Sequence, residues 1–167
     1  MPSKPSIYWD SCVFLDRLKR RPDRISILEA TTDVAAAGEF IIVTSSVAIA
    51  EVIKLPEIGL TTSEQIATIE AFFENAWLSV RIVDEVIAKT AASLRRDYGI
   101  KTCDALHVAT ALRYGVPILY TYDGLAEAHS RVIHFCSRTM AFLAENKSSE
   151  SKFLRTRDHR RHRPTVR

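Results

Sequence analysis

The chain has 167 residues, enough for one domain with a sizeable core, and its 47% hydrophobic and 26% charged content excludes a disordered chain, a collagen or a coiled coil. No apolar run approaches the roughly 18 residues of a membrane span and no signal-peptide core follows Lys4, so a cytoplasmic protein with no membrane partner is expected. The formal charge of +3 divides unevenly: residues 147–167 carry eight Lys/Arg against Glu150 and Asp158, a balance of +6 that leaves residues 1–146 at −3.

In chain order, Ile7-Tyr8-Trp9 reads as a strand that stops at Asp10, and Val13, Phe14, Leu15 and Leu18 resume at helical spacing. Residues 25–37 form a helix closed by Gly38, residues 40–43 a strand, and Val47, Ile49, Val52 and Ile53 a helix that must end near Pro56. Thr61-x-x-Glu64 has capping-box form ahead of a helix carrying Ile66, Ile69, Phe72 and Phe73. A short strand over 78–83 precedes a helix capped by Asp84 and closed by Gly99, and a further helix runs from Thr102 to Gly115. Residues 117–120 read as a strand, 132–135 as an edge strand and 139–145 as a last helix. Strands alternating with helices predict an α/β fold, a parallel sheet covered on both faces. The domain is expected over residues 1–146, followed by a basic tail, 147–167, with too few apolar residues to fold alone.

Four carboxylates stand out by position. Asp10 ends an apolar strand, where the carboxyl ends of a parallel sheet form the ligand crevice. Glu51 lies within a helix between Ala50 and Val52, Asp104 near a helix start, and Asp123 just past a strand. Taken singly, Glu51 is also explained as a solvated helix face, Asp104 as an acid favoured by the helix dipole, and Asp123-Gly124 as a turn. Asp10 has the weakest structural explanation, because a central parallel strand is normally apolar on both faces. Acids converging at one sheet edge repel one another unless cations neutralise them. Mg²⁺ or Mn²⁺ suits a small set of hard oxygen ligands, and such an ion activates water and neutralises phosphoryl charge.

The segments Ile7-Tyr8-Trp9-Asp10-Ser11, Ser46-Val47-Ala48-Ile49-Ala50-Glu51, Thr102-Cys103-Asp104-Ala105-Leu106-His107-Val108-Ala109-Thr110-Ala111 and Leu119-Tyr120-Thr121-Tyr122-Asp123 resemble the four acidic motifs of PIN-domain ribonucleases. Within that family the chain is most similar to VapC-type toxins of bacterial toxin-antitoxin pairs, over about residues 6–145. The resemblance implies a three-layer α/β/α domain with a central parallel sheet and a Mg²⁺- or Mn²⁺-dependent endoribonuclease. It places Asp10, Asp104 and Asp123 at the metal, Glu51 at the metal or its water, and Thr121 in support. The partners implied are an RNA substrate, a cognate antitoxin protein and, as a homodimer, a second copy of the chain. One departure is Cys12, where the family usually carries Ser, Thr or Asn; it weakens a hydroxyl's role there without touching the acids.

The rival readings are a receiver or phosphatase on a similar sheet and a catalytically silent PIN-like scaffold that binds RNA or protein. Ser11 after Asp10, Tyr122 where a receiver would carry Lys, and Cys12 in place of the second Asp of a D-x-D phosphatase oppose the enzyme rivals. His107, three residues after Asp104, reads as a packed or supporting histidine rather than a base. Trp9, Trp77, Phe72 and Phe73 read as core, and Arg95, Arg96 and Arg113 as solvated faces. Cys12, Cys103 and Cys136 lack disulfide or zinc spacing. In the tail, Arg155, Arg157, Arg160, Arg161 and Arg163 are candidate RNA-binding residues.

Overall fold

Branched and aromatic side chains extend short segments into strands, and Asp10 and Ser45 at the ends of the first two lead directly into the helices that follow. The computed structural model describes residues 4–52 and 62–122 in full and the backbone of Arg131–His134. In order these are β1 (Ser6–Trp9), α1 (Ser11–Leu18), α2 (Ile25–Ala36), β2 (Ile41–Ser45), α3 (Ser46–Glu51), α4 (Thr62–Phe73), β3 (Leu78–Arg81), α5 (Glu85–Tyr98), α6 (Thr102–Arg113), β4 (Ile118–Thr121) and β5 (Arg131–His134). All lie within one unit, residues 1–135.

The sheet order is β3-β2-β1-β4-β5, with the first four strands parallel and β5 antiparallel to β4 at the edge. The parallel α/β sheet expected from the sequence is therefore present. Strand alternation assigns its two faces. Ile7, Trp9, Ile42, Leu78 and Tyr120 pack with Val13 and Phe14 of α1, Leu28 and Ala35 of α2 and Ile69 of α4. Tyr8 and Ser45 point the other way, where α6 packs on β2 and against α5. The aromatic residues read as core do lie there: Phe14 meets Trp9, Phe72 and Phe73 at centroid separations of 5.4, 6.0 and 5.1 Å, and Trp77 meets Phe72 at 5.5 Å.

Several boundaries differ from the sequence reading; β2 runs over Ile41–Ser45 rather than 40–43 and β4 over Ile118–Thr121 rather than 117–120. Helix α3 stops at Glu51 because Val52 turns out of the helix (φ −87°, ψ 68°) and inserts its side chain into the core, at 1% exposure. Strand β3 stops at Arg81: Ile82 is 76% exposed, and the Val83 N–H turns to Ser46 Oγ at 3.4 Å before Asp84 caps α5. The last strand begins one residue earlier than expected, at Arg131. Thr61, Pro56 and the helix expected at 139–145 lie outside the described residues, as does the tail at 147–167.

Helix α5 closes on Gly99 in the left-handed conformation (φ 67°), whose N–H donates to Arg95 O. A Cβ there meets nothing within 4 Å, so the cost of adding one is backbone strain alone. Gly99→Ala is expected to lower stability by about 1 kcal/mol, read by urea denaturation; an unchanged midpoint would contradict the left-handed cap.

Candidate active site

Asp10 occupies the first position after β1. Its N–H donates to Tyr120 O at 3.3 Å, and then the backbone turns (φ −84°, ψ 177°) so that its carboxylate caps α1. Oδ1 accepts from the Val13 N–H at 3.2 Å and from the Cys12 thiol at 2.7 Å. The Cys12 sulfur accepts the Tyr122 N–H at 2.9 Å and lies 3.8 Å from Thr121 Oγ1, so it ties the end of β1 to the end of β4. Burial, followed by the neighbouring Asp10 charge, pushes the Cys12 thiol well above its ordinary pKa and keeps it an S–H donor. The thiol thus supplies the hydrogen bond that a family hydroxyl would have been expected to give.

Asp10 is 8% exposed. Burial raises its pKa, outweighing the hydrogen bonds from Cys12, Thr121 and the Val13 N–H. Its hydrogen-bond donors among the described residues are neutral, which leaves a buried carboxylate that a cation would stabilise.

Glu51 is the last residue of α3, and its Oε2 lies 2.9 Å from His107 Nε2 on α6. Burial pulls its carboxyl upward, but the hydrogen bonds with His107, Ser11 and Cys103 prevail and hold it below the usual range. On the other side of the ring, His107 Nδ1 faces the Tyr8 hydroxyl at 2.9 Å and Ser45 Oγ at 3.3 Å. Asp104 sits one turn before His107 in the first turn of α6, half-buried. The Lys101 side chain makes no capping bond there, and the acid favours the positive end of the helix.

The structure therefore gathers Asp10, Glu51 and Thr121 around the carboxyl ends of β1, β2 and β4, with Asp104 on the turn of α6 that precedes His107. Asp123 and the tail arginines Arg155, Arg157, Arg160, Arg161 and Arg163 lie outside the described residues. Among the described residues no three His, Cys, Asp or Glu side chains converge closely enough to hold an ion by themselves. Tyr8, Ser45, Ser11 and Cys103 were not singled out from the sequence. Tyr8 had one available signal: a hydroxyl-bearing aromatic inside a buried strand needs a polar partner. Arg24 was also missed; it pairs with Asp16 and stacks 4.0 Å from the Tyr122 ring, anchoring the residue before Asp123.

A family model described as the PIN domain matches residues 7–129, a span that contains all four acids and Thr121. The chain belongs to the PIN domain family. Its PIN domain is similar in fold to a toxin-antitoxin complex from Klebsiella pneumoniae, at 21% identity over 70% of this chain and 86% of that one, with a TM-score of 0.51. It is also similar to the VapC20 toxin of Mycobacterium tuberculosis, which cleaves the sarcin-ricin loop, at 15% identity over 71% and 90% of the chains and a TM-score of 0.57. VapBC2 from Rickettsia felis, bound to a promoter DNA fragment, gives 15% identity, 71% and 87% coverage and a TM-score of 0.56. A comparison with curated protein sequences finds no match. The resemblance seen in the motifs is thus upheld for the family and for the PIN fold.

Proposed function

We propose that this PIN domain is a Mg²⁺- or Mn²⁺-dependent endoribonuclease and the toxin of a toxin-antitoxin pair. The observation that carries the reading is Asp10: a carboxylate buried where the parallel strand β1 ends, accepting hydrogen bonds from neutral donors among the described residues, at the same end of the sheet as Glu51, an acid bonded to His107. A hard divalent ion fits that donor chemistry. Asp10 and Asp104, together with Asp123, would hold it, and bound there it supplies neutralisation of phosphate charge and a more acidic water. Glu51, kept ionised, orients water toward the scissile phosphodiester, and Thr121 and Cys12 fix the Asp10 carboxylate. In-line attack leaves a 5′-phosphate and a 3′-hydroxyl, as in the family the chain resembles.

Incubation with total RNA tests the reading. Discrete fragments bearing 5′-phosphates are expected with Mn²⁺ or Mg²⁺ and none in chelator. Intact RNA under both conditions would overturn the reading.

The toxin assignment is supported by the fold likeness to toxin-antitoxin proteins. Expression alone is expected to arrest growth, and co-expression with the adjacent reading frame to restore it and yield a stable complex in which a basic side chain replaces the cation. Harmless expression of an RNA-cleaving protein would remove the toxin assignment and leave the nuclease. Size-exclusion chromatography of the protein alone tests the proposed homodimer.

The tail is assigned to RNA capture, since five arginines at 155–163 can each neutralise a phosphate that the acidic remainder of the chain repels. Truncation after Asn146 is expected to flatten the salt dependence of RNA binding by about 0.7 log units per lost phosphate contact while cleavage at saturating RNA persists. An unchanged slope would remove the tail from binding.

A further inference from the structure

We propose that His107 is the positioning residue of this site: it fixes the Glu51 carboxylate in one orientation through its Nε2 proton, and Tyr8 holds the ring that carries it. This rests on the nuclease reading and deepens it.

A neutral imidazole has one donor and one acceptor nitrogen. Glu51, an ionised carboxylate, can only accept, so the nitrogen 2.9 Å from its Oε2 carries the proton. Nδ1 is then the acceptor, and it faces the Tyr8 hydroxyl at 2.9 Å. Tyr8 is fully buried, and its phenol carries a proton to donate. The resulting chain runs one way, Tyr8 O–H to Nδ1 and Nε2–H to Glu51, and each bond polarises the next. The two rings meet edge-on, 5.8 Å between centroids and 70° between planes, and Ser45 Oγ stands 3.3 Å from the same Nδ1. His107 itself is 3% exposed on the buried face of α6, and in this orientation both ring nitrogens have partners.

Glu51 needs such a hold. It is the terminal residue of α3, 31% exposed, and the chain leaves the helix at the next residue. A glutamate so placed samples many rotamers. A donor anchored in the core beneath it selects the one in which Oε2 is engaged from below.

Long-range ¹H–¹⁵N spectra of the full-length protein, together with steady-state cleavage of RNA in Mn²⁺, test the proposal. His107 is expected to show a pyridine-type Nδ1 and a protonated Nε2, whose proton moves upfield in Glu51→Gln. His107→Leu is expected to lower kcat about ten- to a hundredfold with KM nearly unchanged, the range seen when a supporting partner of a site residue is removed. His107→Gln, which keeps an N–H donor at similar reach, recovers most of that loss. Tyr8→Phe lowers kcat about three- to tenfold, the worth of one neutral hydrogen bond. In a Glu51→Ala background His107→Leu is expected to cost almost nothing further, because it acts through Glu51. Thermal melts verify folding, and should the leucine variant unfold, Tyr8→Phe and His107→Gln carry the comparison. A proton on Nδ1 in a wild type that cleaves RNA, additive losses in the Glu51→Ala background, or losses confined to KM would overturn the proposal and leave the nuclease reading intact. A wild type that shows the protonated Nε2 and cleaves no RNA would overturn the nuclease reading instead.

Discussion

Asp10→Asn is expected to abolish RNA cleavage, by more than the roughly hundredfold that a supporting residue costs, while the fold without metal holds or gains stability. The two halves of that expectation come from one cause. Asparagine keeps an oxygen to accept from the Val13 N–H and the Cys12 thiol, so the cap of α1 survives. What disappears is the charge, and in the folded protein that charge is buried beside neutral partners.

Because burial raises the Asp10 pKa above its unfolded value, the folded state holds its proton more tightly than the unfolded chain. The sign follows: Asp10 lowers stability progressively as pH rises from the ordinary carboxylate range through its raised folded value, and the penalty persists at neutral pH. Without metal, Asp10→Asn is therefore expected to melt at or above the wild-type temperature at pH 7, with the difference shrinking toward pH 3. Wild-type cleavage rates would remove Asp10 from the site. A large drop in melting temperature would make its role structural.

The second large effect is on stability. Phe14 is fully buried on α1 and stacks against Trp9 of β1 and both Phe72 and Phe73 of α4. Phe14→Ala is expected to cost about 3–5 kcal/mol, combining lost transfer free energy with a cavity that strand and helices cannot jointly close. Against a total of about 5–15 kcal/mol this approaches unfolding. Phe14→Leu should recover most of it. The consequence reaches the site, since α1 begins at Ser11 and carries Cys12, whose thiol binds both Asp10 and the end of β4. Urea denaturation gives the number, and a loss below about 1 kcal/mol would show that the aromatic cluster is peripheral.

How far the sequence reached depended on the range of the signal. The strand-acid-helix passage at Asp10 was legible because a charge ending an apolar strand is local. The parallel sheet was legible because β and helical periodicities alternate along the chain. The ends of α3 and β3 were not, since Val52 leaves its helix to fill a core space, and β3 loses its ladder where Val83 turns to Ser46; both depend on neighbours distant in sequence. The Glu51–His107 bond spans 56 residues and the Tyr8–His107 bond 99, beyond any local pattern. His107 was expected to be a packed or supporting histidine, and the structure shows it packed and bonded on both nitrogens. The bond from Cys12 to Asp10 ran against expectation: a missing hydroxyl suggested a lost contact, yet a buried thiol kept protonated donates in its place.

The proposed function turns on Asp10 and Asp104, together with Asp123, holding a divalent cation. Titration of Mn²⁺ into the full-length protein, following the free-ion signal by electron paramagnetic resonance, tests it without reference to any RNA. Wild type is expected to bind Mn²⁺ saturably, and Asp104→Asn, folded to the same melting profile, to bind it at least about tenfold more weakly. Equal affinity in the two proteins, or no saturable binding in wild type, would contradict the account.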